Sequence, residues 1–143
     1  MLKASFLAGR AFSKSYVGYC HAVAHSLGGR YSIPHGLANA VLIPITLENY
    51  GKSAYKKCKN IAIAMGCANK NTNKKEATEI LIEKIREMNK IMDIPKCLKG
   101  IKEEDIPELA TYADKEANPL YPVPKLMNAK ELERFYYDVM ENM

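Results

Sequence analysis

The sequence predicts an all-α protein, a helical bundle folded as one domain. Three observations carry that expectation. Apolar residues recur at three- and four-residue spacing through most of the 143 positions, the period of a helix with one buried face. No stretch alternates apolar and polar residues long enough to read as a strand. Glycines and prolines fall largely between the periodic segments, where turns are needed. The length is that of one domain. An apolar fraction of 48% beside 26% charged residues suits a chain that buries a core without help from disulfides.

The elements follow in order. "LKASFLAGRAFSKS" places Leu2, Phe6 and Leu7 on one stripe, with Ala8 and Ala11 nearby. Gly18 interrupts. "YCHAVAHSL" is the second helix, and Gly28 and Gly29 predict its stop. A short extended link leads to Pro34, because the residue before a proline avoids helical angles. Pro34 opens "HGLANAVLIPITLENY", which is apolar on most sides and so belongs at the centre of the bundle. Pro44 predicts a kink or an early end there. "SAYKKCKNIAIAM" closes at Gly66, and "NTNKK" supplies turn and cap residues. The next helix has the clearest pattern: Ala77, Ile80, Leu81, Ile85, Met88 and Met92 keep helical spacing up to the stop before Pro95. "KEEDIPELATYADKEA" is amphipathic, with acids in its first turn where the helix dipole favours them. "NPLYPVPKLM" is an extended surface crossing. "NAKELERFYYDVM" closes the fold, with Asn128 as N-cap and Glu131 three positions on. Met88, Met92 and Met127 are expected in the core. Phe135, Tyr136 and Tyr137 are expected to pin the last helix.

Composition excludes several classes. The net charge of +5 comes from lysines spread over helix faces, without arginine or aromatic interleaving. Nucleic-acid binding is therefore not expected. No signal peptide is visible, and no stretch is long enough to cross a membrane. Cys20, Cys58, Cys67 and Cys97 form no CxxC pair, so reduced thiols in a cytoplasmic protein are expected.

The chemistry concentrates in "GYCHAVAHSLGGRYSIPHG", Gly18 to Gly36, which holds all three histidines: His21, His25 and His35. His21 and His25 lie four apart, so both rings project from one helix face. Two such imidazoles can hold one divalent metal, or one can bind while the other lines the site. A helix, a turn and a helix start can bring His35 back over that face. Three imidazoles suit Zn, Fe or Ni. The bland alternative is three histidines each hydrogen-bonded inside the core. The small apolar neighbours predict a poorly hydrated pocket, where an imidazole needs a partner. Gly28, Gly29 and Gly36 allow close backbone approach. No HExxH order is present. Cys20 reads as a small apolar side chain, with a metal or redox role as the alternative. Asn39 reads as a brace for the histidine turn. Tyr19 and Tyr31 read equally as pocket lining or core filler.

The run Gly18, His21, Ala22, His25, Leu27, Gly28, Gly29, Pro34, His35, Gly36, Asn39, Ala40 and Pro44 resembles the iron-dependent, group III alcohol dehydrogenases. The leading helix, "ANPLYP" and the closing helix extend the likeness over the whole chain. The resemblance implies the C-terminal helical domain of that (dehydroquinate synthase-like) fold over residues 1–143, with the N-terminal nucleotide-binding domain absent from this chain. It implies His21 and His35 as metal ligands, for Fe(2+) or alternatively Zn(2+). It implies His25 as the catalytic histidine beside the nicotinamide of NAD or NADP. That division replaces the His21–His25 metal pair that spacing alone allows.

The implied reaction is interconversion of a small primary alcohol or diol with its aldehyde by metal-assisted hydride transfer. The family's two further ligands, an upstream Asp and His, have no counterpart here. The implied consequences are an inactive isolated chain and an exposed apolar surface open to a homo-oligomer. Two alternatives stand beside this reading: a zinc-type glycerol or polyol dehydrogenase domain, and a stand-alone helical metal-binding or interaction domain without catalysis. Lys14, Ser15 and Cys20 depart from the family pattern next to the site, which bears on substrate rather than on metal.

Overall fold

Each predicted periodic segment is a helix in the computed structural model, which describes residues 1–141. The last two positions of the predicted span, 142 and 143, lie outside the described residues. The helices are α1 (Leu2–Ser15), α2 (Tyr19–Tyr31), α3 (His35–Tyr50), α4 (Tyr55–Ala64), α5 (Lys74–Ile91), α6 (Ile106–Ala117) and α7 (Ala129–Val139). Among the described residues no β-strand is formed; a lone bridge joins Leu98 to Met140.

The core sits where α2, α3, α6 and α7 meet. α2 packs on both α3 and α6, α6 on α7, and α3 on α5 and α7; α4 lies against α5. Tyr19, Val23, Leu27, Leu42, Ile106, Leu132, Phe135 and Tyr136 are fully buried there. Burying such large apolar side chains stabilises the fold by about 1.5–3 kcal/mol each. α1 stands apart, with no buried residue. Its Leu2, Phe6, Leu7 and Phe12 are exposed.

Local sequence explains the helix ends. Asn128 accepts from the Glu131 backbone N–H while the Glu131 side chain accepts from the Asn128 N–H, completing the predicted capping box of α7. Asn73 caps α5, its side chain accepting from the Glu76 N–H at 2.8 Å.

Several expectations are corrected. Gly28 and Gly29 do not stop α2, which runs on to Tyr31 and ends at Ser32 in the left-handed region (φ 56°), with the Ser32 N–H donating to the Gly28 carbonyl. Nor does close backbone approach hold these positions to glycine: a Cβ at Gly28 would lie 3.4 Å from the Ile33 carbonyl oxygen, an ordinary contact, and one at Gly29 or Gly36 would meet nothing within 4 Å. Pro44 does not end α3, which continues to Tyr50. A proline at 44 leaves the Ala40 carbonyl without its helical donor, and the Asn89 side-chain amide of α5 supplies one at 2.8 Å. Met88 and Met92 are exposed rather than core, because α5 buries Ala77, Thr78, Leu81 and Ile82 and its last turns leave the bundle. Met127 is buried as expected, as are Phe135 and Tyr136, whereas Tyr137 is exposed.

The "NPLYPVPKLM" crossing is anchored at both ends by one hydroxyl. Tyr19 donates to Asn118 Oδ1 at 2.8 Å and accepts from the Met127 N–H at 2.9 Å. Tyr19 is therefore a buried brace and not pocket lining. Tyr31 is likewise occupied, donating to Asp105 at 2.7 Å.

Candidate functional site

The three histidines converge. α2 carries His21 and His25 one turn apart. The bend through Ser32 and Pro34 then reverses the chain, so that the first residue of α3, His35, returns over the same face. The ring centres lie 5.4 Å apart for His21–His35, 6.1 Å for His21–His25 and 5.1 Å for His25–His35. The His25 and His35 rings are stacked, with their planes 20° apart, whereas His21 and His35 are tilted by 50°.

The surroundings differ from the expected dry pocket. Ala22, Val23 and Ala24 are buried, while His21 is partly exposed and His25 and His35 are exposed. A helix buries one face at a time, and the apolar residues between the histidines occupy the opposite one. The cluster therefore lies on an open face of the α2–α3 pair.

Each ring has a distinct neighbour. Asn39, one turn into α3, places its side-chain nitrogen 3.1 Å from His35 Nε2 and donates to the His35 carbonyl at 3.0 Å. The Cys20 thiol donates to Asn39 Oδ1 at 3.3 Å. Asn39 is thus the brace that its position indicates. Burial holds the Cys20 thiol up at about 12, so in the metal-free chain it stays protonated at neutral pH. Burial, then the neighbouring His35 and His25, push His21 below the usual imidazole range, with Glu116 opposing. A neutral imidazole is the form that ligates a metal.

Sequence reasoning missed Glu116 and Tyr121. His25 Nδ1 lies 2.7 Å from Glu116 Oε1, and the Tyr121 hydroxyl donates to the same oxygen at 2.8 Å. The pair is 91 positions apart in sequence, so no local spacing reveals it. One signal was available: Glu116 is an acid in the last turn of α6, where the helix dipole disfavours negative charge. A groove of about 330 Å³ borders His25 and Glu116, walled by Arg30, Glu108 and Tyr112. A larger groove of about 720 Å³ lies elsewhere, beside Glu48, Lys125, Arg134 and Asp138. It contains none of the histidines, so the smaller one is the relevant cavity. Among the described residues no group of three or more His, Cys, Asp or Glu side chains is arranged to hold a metal ion.

Residues 1–140 match the sequence model of the Fe-containing alcohol dehydrogenase family, C-terminal, and the chain belongs to that family. It is 38% identical over 138 residues to 1,3-propanediol dehydrogenase of Citrobacter freundii, covering 95% of this chain and 35% of that one. It is 40% identical over 121 residues to alcohol dehydrogenase 4 of Saccharomyces cerevisiae (strain ATCC 204508 / S288c), covering 82% and 30%. The crystal structure of a 1,3-propanediol oxidoreductase superposes with a TM-score of 0.88 at 36% identity, covering 96% of this chain and 36% of that chain. The chain thus spans about a third of the length of these relatives. Among the described residues no helix is long and apolar enough to cross a membrane.

Proposed function

We propose that this chain is the helical, metal-binding and substrate-facing part of an NAD(P)-dependent, iron-containing alcohol dehydrogenase. It acts on primary alcohols or diols, oxidising them to aldehydes or running the reverse. The observation that carries the reading is the approach of His21 and His35 from two successive helices. An imidazole nitrogen sits about 2.1 Å from a bound divalent metal, which puts two ring centres about 5 Å apart at a tetrahedral angle. The His21 and His35 centres are 5.4 Å apart and their planes are tilted, so both can turn a nitrogen toward one point. His25 lies nearly parallel to His35, and its in-plane lone pairs run alongside those of His35 instead of meeting them. Its Nδ1 is also engaged by Glu116. Two histidines fit a metal as a partial ligand set.

The metal is Fe(2+), with Zn(2+) as the alternative, and when bound it supplies a Lewis acid for the substrate oxygen. This chain's residues do the rest on their side of the cleft. His21 and His35 hold the ion, and Asn39 steadies the His35 ring. His25 stands beside the reacting carbon and the nicotinamide and relays a proton. NAD or NADP is held mainly by protein that this chain does not contain. The four cysteines are free thiols, which supports a cytoplasmic setting. The exposed apolar row of α1 supports self-association, and a chain that sediments as a monomer at every concentration would contradict that.

Titration of the purified chain with Fe(II) and Zn(II) tests the reading. The His21→Ala, His35→Ala double variant should lose the bound ion, whereas His25→Ala should keep it. Equal binding by the double variant overturns the assignment. The chain alone should show no alcohol-dependent reduction of NAD or NADP by absorbance, and measurable turnover would refute that part.

A further inference from the structure

We propose that Glu116 is the positioning residue of His25: it holds the imidazole as the Nδ1–H tautomer and leaves Nε2 the lone-pair nitrogen. The inference rests on reading His25 as the proton-relaying histidine, and it assigns the group that sets which nitrogen does the work.

A carboxylate accepts and cannot donate. A His25 Nδ1 that sits 2.7 Å from Glu116 Oε1 must therefore carry the proton. A neutral imidazole has one N–H only, so Nε2 keeps the lone pair. The carboxylate is itself fixed. The Tyr121 hydroxyl donates to the same oxygen at 2.8 Å, and burial with this bond raises the Tyr121 phenol to about 12. Tyr121 thus remains a donor throughout the neutral range. Backbone bonds lock the segment: the Tyr121 N–H donates to the Ala117 carbonyl at 2.7 Å, and Ala117 is fully buried.

The ring has two orientational freedoms, and each has a separate restraint. Stacking on His35, with centres 5.1 Å apart, sets the plane. Glu116 decides which edge of that plane faces α6. Without it, a half-turn of the ring would exchange the two edges at little cost. An acid in the last turn of α6 opposes the helix dipole, and two donors on one oxygen offset that. Carboxylate partners of this kind fix tautomer and orientation in catalytic and ligating histidines generally.

The experiment is a long-range proton–nitrogen correlation spectrum of the ¹⁵N-labelled, metal-free chain at pH about 9, above the ordinary imidazole range. His25 should show a protonated Nδ1 and an unprotonated Nε2. Glu116→Ala should convert His25 mainly to the Nε2–H form that free histidine favours, with His21 and His35 unchanged as internal references. Glu116→Gln can still accept through its amide oxygen and should keep the Nδ1–H form. Tyr121→Phe should keep it too. A predominantly Nε2–H His25 in the unsubstituted chain overturns the proposal, even if Glu116→Ala fails to fold. An unchanged tautomer in a folded Glu116→Ala chain also overturns it. Failure here with metal binding intact at His21 and His35 leaves the functional reading standing. Loss of metal binding with the tautomer confirmed removes that reading and keeps the lock.

Discussion

Replacing Tyr19 by Phe removes one oxygen atom and should cost a sizeable part of the fold's stability. Tyr19 is fully buried in the first turn of α2, two residues before His21. Its hydroxyl accepts from the Met127 N–H at 2.9 Å, and Met127 is itself buried. The same hydroxyl donates to Asn118 Oδ1 at 2.8 Å. The Met127 carbonyl accepts from the Asn118 amide at 2.8 Å, so it is not orphaned. The loss is therefore one stranded buried N–H, about 1–3 kcal/mol, and one hydrogen bond, about 1 kcal/mol. The sum is about 2–4 kcal/mol, against a total of about 5–15 kcal/mol for a domain. Urea denaturation reads it directly. With a slope of about 2 kcal/mol per molar, the midpoint should fall by about 1–2 M at constant slope. Tyr112→Phe serves as the control, because that side chain is exposed and bonds Glu108 on its own helix; its midpoint should hardly move. A Tyr19→Phe midpoint within about 0.3 M of the unsubstituted chain would refute the claim that this hydroxyl anchors the crossing.

Three further outcomes follow from the same structure. Asn128→Ala breaks the capping box of α7 and should cost about 1 kcal/mol in the same urea assay; no change would mean the cap is idle. The Asp105 carboxyl is held below its usual value of 3.8, first by the hydrogen bond from Arg30 and then by that from Tyr31. A depressed carboxyl pKa stabilises the fold above the unfolded value and loses that contribution as pH falls through the folded one. Thermal melts should therefore show the unsubstituted chain losing more stability below pH about 4 than Asp105→Asn does, and parallel curves would contradict the pairing. Cys20, whose thiol burial holds at about 12, should resist iodoacetamide at pH about 8 until urea unfolds the chain; rapid labelling of the native chain, read by peptide mass spectrometry, would contradict its burial.

Much of the fold was legible because helix period and cap chemistry are local. Asn128 with Glu131, and the run from Ala77 through Leu81, needed only their own neighbours. The failures were tertiary. Pro44 reads as a breaker until Asn89, from another helix, satisfies the carbonyl it frees. Met88 and Met92 keep helical spacing, yet spacing does not say where α5 leaves the bundle. Gly28 and Gly29 resemble a stop signal, but α2 runs through both and ends at Ser32. The candidate site divides in the same way. The histidines are grouped in sequence, so their convergence was foreseeable. Their exposure was not, because small apolar neighbours bury the opposite helix face. Glu116, with Tyr121 bonded to it, reaches His25 through the packing of α2 on α6.

The central claim is that His21 and His35, and not His25, bind the metal. Adding Zn(II) to the ¹⁵N-labelled chain and following all six imidazole nitrogens tests it most directly. The account predicts that one nitrogen each of His21 and His35 shifts together with added metal, while both nitrogens of His25 keep their positions. A ligand-type shift at a His25 nitrogen, or none at His21 and His35 under saturating metal, would contradict it.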